Sequence, residues 1–129
     1  MEKEIFDKWN ILKQKIESKE RFAKFKEREI CFVNLGKNIG SEQDGKGNEF
    51  ERPVVVFKKF NSDIFIALPL THKIKFGKYY FNFNLNKISR TIILSQIRLI
   101  SSRRIKRKIG YMSEFDFLLL KNKLKELIF

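Results

Sequence analysis

Gly40-Ser41-Glu42-Gln43-Asp44-Gly45, followed after six residues by Arg52-Pro53-Val54-Val55-Val56, is the stretch on which the reading of this chain turns. Two glycines let the backbone take positive φ and turn tightly, and Pro53 fixes φ and removes an amide donor where a strand begins. Taken alone, the stretch reads in two ways. It is either a polar loop that delivers Arg52 to a strand edge, or a plain hairpin loop with a surface arginine.

Working outward, the chain reads as a helix, a run of strands and a helix. Ile5, Trp9, Leu12 and Ile16 recur at steps of four, three and four, one stripe of an amphipathic helix within residues 1–24. Strands are predicted at about 29–35, 52–59, 63–70, 78–84 and 90–99, sequential and antiparallel. Hairpin turns are predicted at Asn61-Ser62-Asp63, Lys75-Phe76-Gly77 and Asn84-Leu85-Asn86-Lys87. Alternation puts Tyr79, Phe81 and Phe83 on one strand face, either core or a platform for stacking bases. Ser113 can cap a helix over 114–128, with Asp116 three residues on; Phe117, Leu120, Leu124 and Leu127 or Ile128 form its apolar stripe.

A chain of 129 residues with 43% hydrophobic content and 14 phenylalanines suffices for one packed core. The lone Cys31 cannot form an internal disulfide, and no opening apolar run is long enough for a signal peptide or membrane helix. A cytoplasmic protein with no membrane partner is expected. The net charge of +13 is segregated: residues 1–63 carry 14 basic and 12 acidic side chains, and residues 114–129 three of each. Residues 64–113 have no Asp or Glu but 11 Lys and Arg. An acid-free surface attracts phosphates over roughly 8 Å at physiological salt, so a nucleic-acid partner is favoured over a merely solvated face. The run Arg103-Arg104-Ile105-Lys106-Arg107-Lys108 also reads as a loop or a partner surface.

Several pieces in order along the chain resemble the MazF/PemK toxins, small endoribonucleases of bacterial toxin–antitoxin pairs. They are Glu29 to Gly36 as a first strand, the Gly40 to Gln43 loop, Arg52-Pro53-Val54-Val55-Val56, Pro69-Leu70-Thr71, Leu94 to Ile100, and Arg103-Arg104-Ile105. The eight residues between Gln43 and Arg52 form a longer insertion than is usual in that family. The resemblance implies a mainly β fold, a small SH3-like barrel of five to six strands of the MazF/CcdB kind. An N-terminal helical extension over 1–26 precedes a toxin domain over 27–129, which ends in a C-terminal helix. It further implies single-stranded RNA as substrate, a homodimer, and a cognate acidic antitoxin.

One histidine and one cysteine do not make a His/Cys zinc site, and the acid-free middle offers no carboxylate cluster for two metals. RNA permits chemistry without metal or other cofactor, because its own 2′-hydroxyl can attack the adjacent phosphorus. The resemblance assigns Arg52 and Thr71 as the catalytic pair. Arg52 would clamp the phosphate and donate to the leaving group, and Thr71 would donate to a non-bridging oxygen. Glu42, Glu51 and His72 are near in sequence, Glu51 and His72 as possible auxiliary bases; His72 reads equally as a surface residue. Gln96 could read a base edge, hold a phosphate, or satisfy a loop. Ser41, Glu42 and Gln43 could bond RNA or order their own loop. Lys73, Arg98, Arg103 and Arg104 complete the expected RNA contacts.

Two alternatives stand beside the endoribonuclease. A gyrase poison of the CcdB kind acts through a C-terminus bearing tryptophan, whereas this chain ends Glu126-Leu127-Ile128-Phe129 and has only Trp9. A non-catalytic RNA-binding barrel would carry the same basic face.

Overall fold

The computed structural model describes residues 2–18, 24–36, 38, 45–47 and 50–129. Its elements are α1 (Glu2–Glu17), β1 (Glu29–Asn34), β2 (Glu51–Lys59), β3 (Ile64–Thr71), β4 (Tyr80–Leu85), β5 (Ile88–Ile93), β6 (Arg98–Ser101), β7 (Ile105–Tyr111) and α2 (Glu114–Ile128). Short 3-10 turns, Leu94–Gln96 and Ser102–Arg104, flank β6.

The valine run in β2 is buried throughout because an apolar layer lies on each side of the strand. Val55 joins Ile30, Leu68, Leu70, Phe81 and Ile92 on one face, whereas Val54 and Val56 join Cys31, Val33, Phe65, Ala67, Ile100 and Ile105 on the other. Such two-sided burial suits β-branched residues, which pack well on a pleated surface. The strands are antiparallel in the order β4-β5-β3-β2-β1-β7, with β6 on the free edge of β3. In the run β6-β3-β2-β1-β7 the outer strands are joined by only the Ser102–Arg104 turn. The run therefore curls so that the end of β6 comes close to the start of β7. This is the small SH3-like barrel expected, and Val54, Val56 and their neighbours fill it.

Helix α2 covers the opposite face, capped as predicted by Ser113, whose Oγ accepts from the Asp116 N–H at 3.1 Å. Its buried Phe117, Leu120 and Leu124 face Phe81, Phe83, Leu85 and Met112, and each contributes about 1.5–3 kcal/mol by burial. Leu127 is partly buried there; Ile128 is exposed. The aromatic face of β4 is thus core at Phe81 and Phe83, while Tyr79 is exposed.

Four expectations need correction. The strand over 90–99 is two strands: β5 pairs with β3 at Leu70 and Thr71, β6 pairs with it at Ile64–Ala67, and the three-residue turn Leu94–Gln96 bulges between them. The basic run is turn at Arg103 and Arg104 and strand from Ile105 on, because Ile105–Tyr111 adds to the edge of β1. Lys75-Phe76-Gly77 is not a hairpin turn, since β4 pairs with β5 and not with β3. Instead the segment crosses the β4–β5 hairpin, where the Lys75 N–H donates to Thr91 Oγ1 and Asn82 Nδ2 donates to the Lys75 carbonyl. Finally, α1 ends at Glu17, short of residue 24, and Phe25 packs inside the barrel 4.8 Å from Phe65. The Asn86-Lys87 turn holds, with positive φ at both residues as a two-residue hairpin requires.

Helix α1 docks on the barrel through the predicted stripe. Trp9 and Ile16 are buried in one cluster with Phe50 and Leu12 is partly so, whereas Ile5 is exposed.

Candidate functional site

Arg52 lies near the start of β2, across from Val33 of β1. Alternation turns its side chain to the face of Val54 and Val56, toward one mouth of the barrel. It is 9% exposed, and its guanidinium donates to the Leu70 carbonyl at 3.2 Å. On the other side of β2 the register Val54↔Pro69, continued by two residues, sets Arg52 opposite Thr71. Thr71 is 8% exposed, and its Oγ1 accepts from the Lys73 N–H at 3.3 Å, so the hydroxyl proton can be offered elsewhere. The structure therefore brings Arg52 and Thr71 together at the end of one inner face.

Arg98 joins them. It pairs with Ala67, which shares the face of Thr71, and its guanidinium donates to the Leu35 carbonyl at 3.5 Å. Arg104 donates to the adjacent carbonyl, that of Asn34, at 3.0 Å. Burial first, and the charge of Arg98 second, push the Arg104 pKa below its ordinary value. Two cations thus converge on neighbouring carbonyl groups, a place where an anion is favoured.

The described ends of the connection between β1 and β2 form a tight clamp. The Leu35 and Gly36 N–H groups both donate to the Phe50 carbonyl, at 2.8 and 3.2 Å, and the Gly45 N–H donates to the Gly36 carbonyl at 2.7 Å. Gly36 has φ of 91° and lies against Trp9, where an added Cβ would fall 2.3 Å from the indole. A Cβ on Gly45 would fall 1.6 Å from the Phe50 oxygen. Only glycine fits either position. Ser41, Glu42 and Gln43 belong to this loop and lie outside the described residues.

Other predicted residues are spread more widely. Gln96 is half-buried in the 3-10 turn between β5 and β6, not in a strand. His72 and Lys73 are exposed at the bend after β3. Glu51 precedes Arg52, so its side chain takes the opposite face, where it pairs with Arg107 at 3.3 Å. Arg103 pairs with Glu17 of α1 at 3.5 Å, and Lys108 with the buried Glu29 at 3.2 Å. Carboxylates from outside the acid-free stretch therefore partner three of its cations.

Sequence reasoning missed Thr91. It pairs with Thr71 and is fully buried, its hydroxyl donating to Asn82 Oδ1. A threonine leading into Ile92-Ile93-Leu94 was the one signal that pointed to it. Nothing in the residue pattern hints that Trp9 braces the loop clamp.

Among the described residues no three His, Cys, Asp or Glu side chains converge, and no helix is long and apolar enough to cross a membrane.

Comparison with known proteins places this architecture. The family model described as "PemK-like, MazF-like toxin of type II toxin-antitoxin system" matches residues 26–128. Among solved structures, MazF (Form-I) from Deinococcus radiodurans superposes with a TM-score of 0.62 at 16% identity, covering 84% of this chain and 98% of that one. The Mycobacterium tuberculosis toxin MazF-mt6 gives 0.59 at 15% identity, covering 78% and 96%. Comparison with curated protein sequences gives no match.

Proposed function

The chain belongs to the PemK-like, MazF-like toxins of type II toxin–antitoxin systems, and on that premise we propose that it is a metal-independent endoribonuclease cutting single-stranded RNA. The observation that carries this reading is the buried Arg52, held by the Leu70 carbonyl in register with Thr71 at a mouth rimmed by Arg98 and Arg104.

In the reaction, the ribose 2′-oxygen forms a bond to the neighbouring phosphorus as the bond from phosphorus to the 5′-oxygen breaks. The products are a 2′,3′-cyclic phosphate and a 5′-hydroxyl. Arg52 presents a planar fork of donors to the non-bridging oxygens, where negative charge develops, and gives the leaving 5′-oxygen the proton that makes it a hydroxyl. Thr71 adds a hydroxyl donor. The base that takes the 2′-proton comes from the mouth or its loop, with Glu42 the candidate carboxylate on the loop side. Glu51 is the weaker choice because it faces away from Arg52 and is paired with Arg107. The protein works as a homodimer and is neutralised by an acidic antitoxin.

Incubation with a long RNA, followed by sequencing of the new 5′ ends, tests the proposal. Discrete cuts at a short shared motif, with 5′-hydroxyl ends and unaffected by EDTA, are expected. Intact RNA, or cutting that stops on chelation, contradicts it.

A further inference from the structure

Helix α1 also forms one wall of a cleft. The cleft lies between the helix and the Ser101–Arg104 turn and measures about 470 Å³, within the range of small-ligand sites. Lys13, Gln14 and Glu17 form the α1 wall, Ile16 is part of the lining, and Arg103 and Arg104 form the opposite wall. The three cations outnumber the one acid, Glu17, which Arg103 already engages. Apolar surface from Ile16 and the stems of the long side chains, beside planar guanidinium groups, suits a flat base carrying a phosphate.

Arg104 is common to the cleft and the candidate site. It lines the cleft and binds the Asn34 carbonyl; Arg98 binds the next carbonyl and sits across from Ala67, on the Thr71 face of β3. A row of cations therefore leads from the cleft to Arg52. An acidic peptide would also meet positive charge here, but this row running to the cutting site favours the RNA strand itself.

We infer that the cleft between α1 and the Ser101–Arg104 turn is a subsite for a nucleotide of single-stranded RNA flanking the cut, so that α1 extends the bound RNA beyond the catalytic mouth. This rests on the endoribonuclease reading and names a further part of the same RNA path.

The test measures binding of the full chain to two randomised RNA pools, made uncleavable by 2′-O-methylation, one longer than the other by about four nucleotides. Lys13→Ala with Gln14→Ala, both exposed, is the variant. The parent should bind the longer pool about tenfold tighter, the worth of roughly one stacked base and its phosphate. The variant should lose most of that gain and bind the short pool as the parent does. Equal affinity of parent and variant for the longer pool overturns the inference. So does a variant that loses only binding of an acidic peptide, which would assign the cleft to a protein partner. RNA cutting by the parent is scored separately. Cutting without any effect of length removes the subsite alone, and a length effect through Lys13 and Gln14 without cutting removes the nuclease alone. Failure to bind either pool removes both.

Discussion

Arg52 donates to the carbonyl of Leu70 at 3.2 Å, and that bond fixes a guanidinium beside the residue that follows, Thr71. A charged donor that is 9% exposed loses water on folding and is held in one geometry, the condition under which a donor stabilises a developing charge most. Arg52→Ala should therefore slow RNA cutting by about two to three orders of magnitude. Lysine should rescue little, because it lacks the planar fork. The far-ultraviolet circular dichroism of Arg52→Ala should match the parent. Cutting within a few-fold of the parent would mean that the chemistry lies elsewhere.

Trp9 meets Phe50 at 5.5 Å, Gly36 in direct contact and the Arg104 guanidinium at 5.6 Å. Truncating a buried aromatic costs roughly 3–5 kcal/mol, and a helix as short as α1 is marginal alone. Trp9→Ala should undock α1, and hydrogen exchange should show its amides unprotected while those of β2 and β3 stay slow. Continued protection of α1 would show that the stripe is not what holds it.

Arg98 and Arg104 should act on RNA through charge. Arg98→Gln with Arg104→Gln keeps donors for the Leu35 and Asn34 carbonyls while removing both charges. The salt slope of single-strand binding should fall by about 0.7 for each phosphate no longer neutralised, with the cut motif unchanged. Arg107→Gln should do less, since Glu51 already neutralises Arg107. An unchanged slope in the double variant would remove this pair from the RNA path.

Cys31 is 1% exposed, and burial first, then the neighbouring Glu29 carboxylate, push its thiol from 9.0 up to about 12. The unfolded chain releases this proton first, so the contribution to stability is intact below pH 9 and is lost between pH 9 and 12, at up to roughly 1.4 kcal/mol per pH unit. Denaturant unfolding of the parent should lose stability faster with pH in that window than unfolding of Cys31→Ala. Parallel curves would contradict this.

What could be read from sequence was what local pattern encodes. The Val54–Val56 run, the Ser113 cap and the α1 stripe each carry their own signal in periodicity or in a capping residue. Strand β7 carried none, because the charges of Arg107 and Lys108 hide its alternation. Their partners, Glu51 and Glu29, lie on other strands, distant in the chain. The break at Leu94–Gln96 was also hidden, since β5 and β6 are told apart only by where they meet β3. For the site, the resemblance supplied Arg52 and Thr71. The convergence of Arg98 and Arg104 on adjacent carbonyls, and the seat of Trp9 on Gly36, are products of tertiary packing and could not be read from spacing.

In the proposed reaction the RNA supplies its own nucleophile at a mouth built on Arg52 and Thr71. The most direct measurement replaces the single ribose at the scissile position by deoxyribose in an RNA that is otherwise cut. No cleavage at that position, and binding close to that of the all-ribose strand, are expected. Cleavage of the deoxy-substituted strand at an undiminished rate would contradict the proposed reaction.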